Sequence, residues 1–174
     1  MRRIVYSVAA SLDGYIADAG GGFDWIAMDP DIDFAALMAR FDAFVMGRRT
    51  WEATRSMGGG RAMPGTYVVS RTLKAEDHPG ITVLGEGWRE AVSALRGEAG
   101  KDIWLFGGGK LFASMLDAGL VDSVEVAVVP VLLGGGVPLL EPPAARARLR
   151  LTEHRLYPKS GIVRLEYEVV RREP

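Results

Sequence analysis

The chain has no cysteine among its 174 residues. That absence excludes disulfides, thiolate-bound metals and thiol nucleophiles, and it suits a reducing cytoplasm, the expected location. Histidine is nearly absent too: only His78 and His154 occur, far apart in sequence. No metal-ligand spacing can be built from them, so no metal is expected. Charge of one sign is also lacking, because 21 basic and 22 acidic residues leave a net charge of −1. The basic residues come singly or in short pairs such as Arg2-Arg3, Arg48-Arg49 and Arg171-Arg172. Such a chain has no field that would gather nucleic acid or an anionic membrane, and neither is expected as a partner. Nor does any apolar run approach the roughly 18 residues of a membrane span. The run that follows Met1-Arg2-Arg3 is strand length and soon meets Asp13 and Asp18, unlike a secretory signal.

What is present is an ordinary globular composition, 48% hydrophobic and 25% charged. With no repeat, linker or low-complexity stretch, a single domain over residues 1–174 is expected. Ile4 to Ala10 reads as a buried first strand. Phe34, Leu37, Met38 and Phe41 follow at i, i+3, i+4 and i+7, one face of a helix, with Asp31 and Asp33 at its start where carboxylates cap free amides. Further strands are expected at Ala43–Met46, Tyr67–Ser70, Ile81–Leu84, Ile103–Phe106 and Val124–Val129. Helices are expected over Thr50–Arg55, around Trp88, Val92 and Leu95, and around Leu111, Met115 and Leu116, the last ending at Gly119. Met57–Gly65 reads as a flexible loop. Val163, Leu165, Tyr167 and Val169 alternate with charged residues and, with Leu149–Tyr157 and the Pro158–Gly161 turn, predict an antiparallel hairpin. Strands alternating with helices, then a hairpin, predict an α/β domain with a mostly parallel sheet and an antiparallel edge.

The chemistry lies at three strand-to-helix junctions. Phe106-Gly107-Gly108-Gly109-Lys110 leaves a buried strand through three glycines into a helix. There backbone amides can approach a diphosphate with no side chain between them. Met46-Gly47-Arg48-Arg49-Thr50 sets two guanidiniums and a hydroxyl at another helix start. Val69-Ser70-Arg71 ends a strand in a hydroxyl and a guanidinium suited to a phosphate monoester. Each alone reads equally as a polar turn; three on one domain point together to an anionic ligand.

These junctions, with Ser11-Leu12-Asp13-Gly14, resemble the dihydrofolate-reductase superfamily in order and spacing along nearly the whole chain. Val129-Pro130-Val131-Leu132-Leu133-Gly134-Gly135-Gly136 is similar to the signature of one branch, the reductase domain of riboflavin biosynthesis. The resemblance implies a three-layer fold with helices on both faces of the sheet, NADPH as cofactor and a cis Gly-Gly bond in the triple glycine. It assigns Gly47, Arg48, Arg49, Thr50, Ser70 and Arg71 to the adenosine 2′-phosphate and diphosphate. Gly107, Gly108, Gly109 and Lys110 would hold the diphosphate, and Ala9 and Ile16 would meet the nicotinamide.

The implied activity is hydride transfer to a pyrimidine- or pterin-like heterocycle. The best named reaction is 5-amino-6-(5-phosphoribosylamino)uracil reduction, with no zinc-deaminase domain in the chain. Two rivals remain open: a dihydrofolate reductase, and a non-catalytic nucleotide-binding module. The folate reading is weakened because Thr66 after Pro64-Gly65, and Ala127, replace the arginine and threonine that anchor folate. Asp31 precedes Gly47 by the interval of the family's substrate carboxylate and becomes the candidate catalytic group, the alternative being a helix cap. Trp25 and Phe34 join it as candidate substrate contacts, with core packing the alternative for Trp25. A homodimer is expected from the resemblance and from the apolar Val126–Leu140 segment, where Val131, Leu132, Leu133 and Val137 are expected in an exposed or interfacial loop, the alternative being that the segment folds back onto its own core.

Overall fold

A computed structural model describes residues 1–57 and 62–170. Its centre is an eight-stranded sheet ordered β5-β4-β3-β6-β1-β7-β10-β9. The strands are β1 (Ile4–Ser11), β3 (Phe41–Gly47), β4 (Thr66–Val69), β5 (Ile81–Leu84), β6 (Asp102–Gly107), β7 (Ser123–Val129), β9 (Arg148–Tyr157) and β10 (Ile162–Val170). A separate two-stranded ribbon pairs β2 (Tyr15–Ala17) with β8 (Val137–Pro138). From β5 to β7 all pairings are parallel, and β10 and β9 add to β7 as the expected antiparallel hairpin.

The parallel strands are apolar runs because both sheet faces are covered. On one face α3 (Trp88–Gly97) and α4 (Gly109–Asp117) bring Val92, Leu95, Leu111, Phe112 and Met115 onto Ile4, Tyr6, Val45 and Leu105. Tyr6 stacks on Phe112 with ring centroids 3.8 Å apart and donates its hydroxyl to the Leu139 carbonyl. On the other face α1 (Phe34–Ala39) and α2 (Arg48–Met57) bring Leu37, Met38 and Trp51 onto Phe41, Phe44, Met46 and Trp104. The three-layer architecture expected from the sequence is thus present. No helix among the described residues is long and apolar enough to cross a membrane.

Several local expectations are corrected. Phe41 does not continue the helical face of Phe34, Leu37 and Met38; α1 stops at Ala39 and Phe41 opens β3, where its ring packs on Trp104. A period of 3.6 does not distinguish a helix from a helix followed at once by a strand whose first residue enters the same core. Asp33, not Asp31, caps α1, accepting from the Ala36 amide. The triple glycine runs into α4 earlier than expected, at Gly109, and α2 starts at Arg48 rather than Thr50. Of the expected loop at Met57–Gly65, residues 58–61 lie outside the described residues. In the apolar loop after β7 only Leu132 is well exposed, at 70%. Val131 packs beside Val129, Tyr157 and Ile162, Leu133 is half-buried, and Val137 is held in the ribbon.

Candidate functional site

All six strands from β5 to β7 run in one direction, so β1, β3, β4, β5, β6 and β7 release their chain ends along a single edge. Chain direction reverses there: β3, β4 and β5 build outward, then β6 returns between β3 and β1. Open α/β sheets hold ligands at such a reversal. A cleft of about 1980 Å³ lies across this edge, and eleven of the twelve residues assigned to the cofactor line it: Ala9, Ile16, Gly47, Arg48, Arg49, Thr50, Ser70, Arg71, Gly108, Gly109 and Lys110. Gly107 ends β6 just behind the lining.

The geometry at this end is set by backbone. Gly107 has φ +121, and the Gly107–Gly108 peptide is cis, as the resemblance implied. A Cβ on Gly109 would lie 2.2 Å from the Pro138 carbonyl oxygen, so only glycine fits against the ribbon. The first bond of α4 runs from the Phe112 amide to the Gly108 carbonyl, which leaves the amides of its first turn without partners inside the helix. Such amides, at the positive end of a helix, attract an anion. Opposite them, Arg48 reaches Glu52 only at 3.6 Å, and Arg49 and Arg71 have no ion pair among the described residues. Ser70 Oγ accepts from the Thr72 and Leu73 amides, which fixes its oxygen, and the Thr72 hydroxyl lies 3.4 Å from it.

Asp13 has a structural task. Its carboxylate accepts from the Ser11 hydroxyl at 2.6 Å and from the amides of Leu133 and Gly134. The Ser11 hydroxyl first, then those amides, hold its carboxyl below the usual carboxylate range. Two of the motifs that carried the resemblance, Ser11–Gly14 and the loop after β7, therefore clasp one another. In that loop Gly136, at φ +141, passes so close to the Ala17 carbonyl that a Cβ would lie 2.1 Å from it.

The other end of the cleft is built by side chains from β1, β7, β9, β10 and α1. Ser7, Ala9, Ala127, Tyr157 and Ile162 form its floor, and Phe34, Leu37 and Met38 of α1 its wall. Into this surface β7 sets Glu125, only 3% exposed. Arg40, just past the end of α1, grips both its oxygens, at 2.9 Å and 2.5 Å, and Arg164 of β10 adds a third bond at 3.0 Å. Burial pushes the Glu125 carboxyl up, but the bonds and charges of Arg40 and Arg164 outweigh it and hold the group below its ordinary range. Glu166, bonded to Arg164, is pushed the other way by burial and by the charge of Glu125.

Two expected substrate residues are not brought here. The Asp31 carboxylate turns to Lys159 at 2.8 Å, in the β9–β10 turn, and does not line the cleft. The turn folds back onto the segment before α1, where buried Asp29 also binds it, accepting from the Ser160 amide at 3.0 Å. Spacing along the chain gives no hint of a partner 128 residues away. Trp25 donates to the Gly22 carbonyl and packs on Val129, Tyr157 and Ile162, behind the lining. Phe34 does line the cleft.

The RibD C-terminal domain family model matches residues 2–163. The chain belongs to the RibD C-terminal domain family. It is 32% identical over 179 residues to YyaP of Bacillus subtilis (strain 168), itself uncharacterized, covering 95% of this chain and 94% of YyaP. A solved structure named for riboflavin biosynthesis, from Shewanella sp. PV-4, superposes with a TM-score of 0.82 at 27% identity, covering 98% of this chain and all (100%) of that one. A dihydrofolate reductase from Enterococcus faecalis, solved with NADP(H) and RAB-propyl, shares the fold at a TM-score of 0.66 and 18% identity, covering 96% and 94% of the two chains. Membership places the chain among reductase-type proteins with this architecture.

Within this RibD-type domain, sequence reasoning passed over Arg40, Glu125, Arg155 and Arg164. One signal was available: Glu125 is the single charge inside the otherwise apolar run from Ser123 to Val129. A charge in a strand buried on both faces is informative because it must be paired.

Proposed function

We propose that the protein is a cytoplasmic NADPH-dependent reductase that transfers hydride to a pyrimidine- or pterin-like heterocycle. The reading that fits best is 5-amino-6-(5-phosphoribosylamino)uracil reduction. The observation that carries it is the convergence on one cleft of a triple-glycine helix start, the Gly47–Thr50 turn and the Ser70-Arg71 strand end. The donor set suits the cofactor. Loosely paired or unpaired guanidiniums at Arg48, Arg49 and Arg71 offer charged hydrogen bonds to a 2′-phosphate, and the first amides of α4 suit a diphosphate.

The reduced nicotinamide, when bound, supplies the hydride. The chain's own share is placement. Arg48, Arg49, Thr50, Ser70 and Arg71 hold the adenosine end, while Gly107, Gly108, Gly109 and Lys110 hold the diphosphate. Ala9 and Ile16 present small apolar surface to the nicotinamide. Phe34, Leu37 and Met38 cover the acceptor and keep water from it. Ala127 on the floor offers no hydroxyl for a pterin, which supports the riboflavin-type acceptor over dihydrofolate.

A homodimer belongs to this reading, with Leu132 and the exposed Leu149, Leu151 and Leu156 of edge strand β9 as its contact with a second copy. A monomeric mass at micromolar concentration would remove it. Fluorescence titration should show NADPH binding at least tenfold tighter than NADH. NADPH oxidation should follow with the phosphoribosylaminouracil and not with dihydrofolate. Equal affinity for the two cofactors would overturn the cofactor assignment, and binding without turnover of either acceptor would favour the non-catalytic module.

A further inference from the structure

The acceptor end of the cleft gathers three guanidiniums, those of Arg40, Arg155 and Arg164. Arg155 of β9 and Arg164 of β10 are direct cross-strand partners, and both line the cleft. Like charges placed directly opposite one another on neighbouring strands destabilise a sheet unless something lies between them. Arg164 is answered by Glu125 and Glu166. Arg155 has no ion pair among the described residues, although Glu153 lies two residues away on its own strand and Glu166 diagonally across on β10; its guanidinium rests on the Tyr157 ring at 4.8 Å.

The two paired guanidiniums also keep donors in reserve. A guanidinium carries five N–H donors. Arg40 commits two to Glu125, and Arg164 commits two through one nitrogen, to Glu125 and Glu166. Burying Glu125 is expensive, and buried ion pairs of this kind add little net stability, so the arrangement is poorly explained as a fold-stabilising device. Its effect is to lock two guanidiniums side by side in a cleft wall, since Arg40 and Arg164 share the Oε2 oxygen at 2.9 Å and 3.0 Å.

Resting on the reductase reading above, we infer that Arg40, Arg155 and Arg164 form a specificity set for an acceptor bearing a carboxylate or phosphate monoester, with Glu125 as the positioning residue that orients two of them. The anion lies over the Arg155–Arg164 pair and relieves its repulsion. Preorganised guanidiniums favour such groups because their planar fork meets two oxygens at once.

The test uses the NADP⁺-loaded protein and three pyrimidine probes: orotate, with a carboxylate; uridine 5′-monophosphate, with a phosphate monoester; and uracil, with neither. By calorimetry, at least one anionic probe should bind ten or more times tighter than uracil, and the two anionic arms tell which group is read. Arg164→Met should reduce that preference to threefold or less without changing NADP⁺ affinity. Glu125→Gln should reduce it as well and Glu125→Asp should restore part of it, a pattern that a merely structural role would not produce; melting curves taken in parallel report folding separately. Equal binding of all three probes, binding of none, or a preference untouched by Arg164→Met would overturn the inference. The same titrations on cofactor-free protein read the arginine set alone, so loss of NADPH binding in the wild type would count against the reductase reading and not against this one.

Discussion

The two ends of the cleft are made in different ways. The cofactor end is assembled from three short segments, each contiguous in sequence and each a strand running into a turn or helix. Its geometry is dictated by backbone: glycines that admit φ values closed to other residues, and amides freed at a helix start. The acceptor end is assembled from single side chains that β1, β7, β9, β10 and α1 contribute up to three at a time. Its central bond joins Arg40 to Glu125, 85 residues apart. A site made of backbone tolerates few substitutions at few positions, while a site made of paired charges can be retuned side chain by side chain.

The contrast can be broken or sharpened by substitution. The largest effect is expected at the acceptor end. Glu125→Ala leaves Arg40 and Arg164 facing one another without their shared anion, and breaking a buried pair typically costs about 3–5 kcal/mol. Because the two guanidiniums remain 35% and 27% exposed, the lower end, about 3 kcal/mol, is expected. A drop of roughly 6–12 °C in melting temperature would record it. At the cofactor end Gly109→Ala must push the ribbon carbonyl of Pro138 away, a forced backbone shift of about 1–3 kcal/mol. Chemical denaturation measures that loss, and NADPH affinity should fall with it, since α4 begins at this residue.

Arg48→Ala should leave stability nearly unchanged and weaken NADPH about tenfold, the value of one charged hydrogen bond, while NADH affinity stays within twofold. A parallel loss for both cofactors would show that Arg48 does not meet the 2′-phosphate.

Acid should act on the clasp and on the charged floor alike. The carboxyls of Asp13, Asp29 and Glu125 are all held below the ordinary range in the folded chain. Their stabilising contribution is therefore complete above that range and is lost as pH falls through the depressed values. Melting temperature plotted against pH should fall on the acid side, and Asp13→Asn should flatten part of that slope. The smallest effect is expected for Asp31→Asn, which removes only an exposed ion pair with Lys159 and should leave the melting temperature nearly unchanged. Its turnover should stay within twofold of wild type. A hundredfold fall would instead restore Asp31 to the chemistry and show that the segment before α1 closes onto the cleft during turnover.

The sequence by itself determined the alternation of strands and helices, the terminal hairpin and the three strand-to-helix junctions that meet at one end of the cleft. Those features are local: a run such as Ile103–Phe106 followed by Gly107-Gly108-Gly109 states its conformation within a few residues. It also presented Glu125 as a lone charge in an apolar strand, without a means of naming its partners. Tertiary structure alone decided that Asp33 rather than Asp31 caps α1, that Asp31 belongs to Lys159, and that Trp25 packs behind the cleft. It alone brought Arg155 opposite Arg164, and Arg164 onto Glu125. Those contacts depend on strand order and on register, with a bulge between Glu166 and Tyr167 shifting the faces of the hairpin. A shift of one residue in register exchanges the faces of a strand, and no property of a single segment records which partner it will meet.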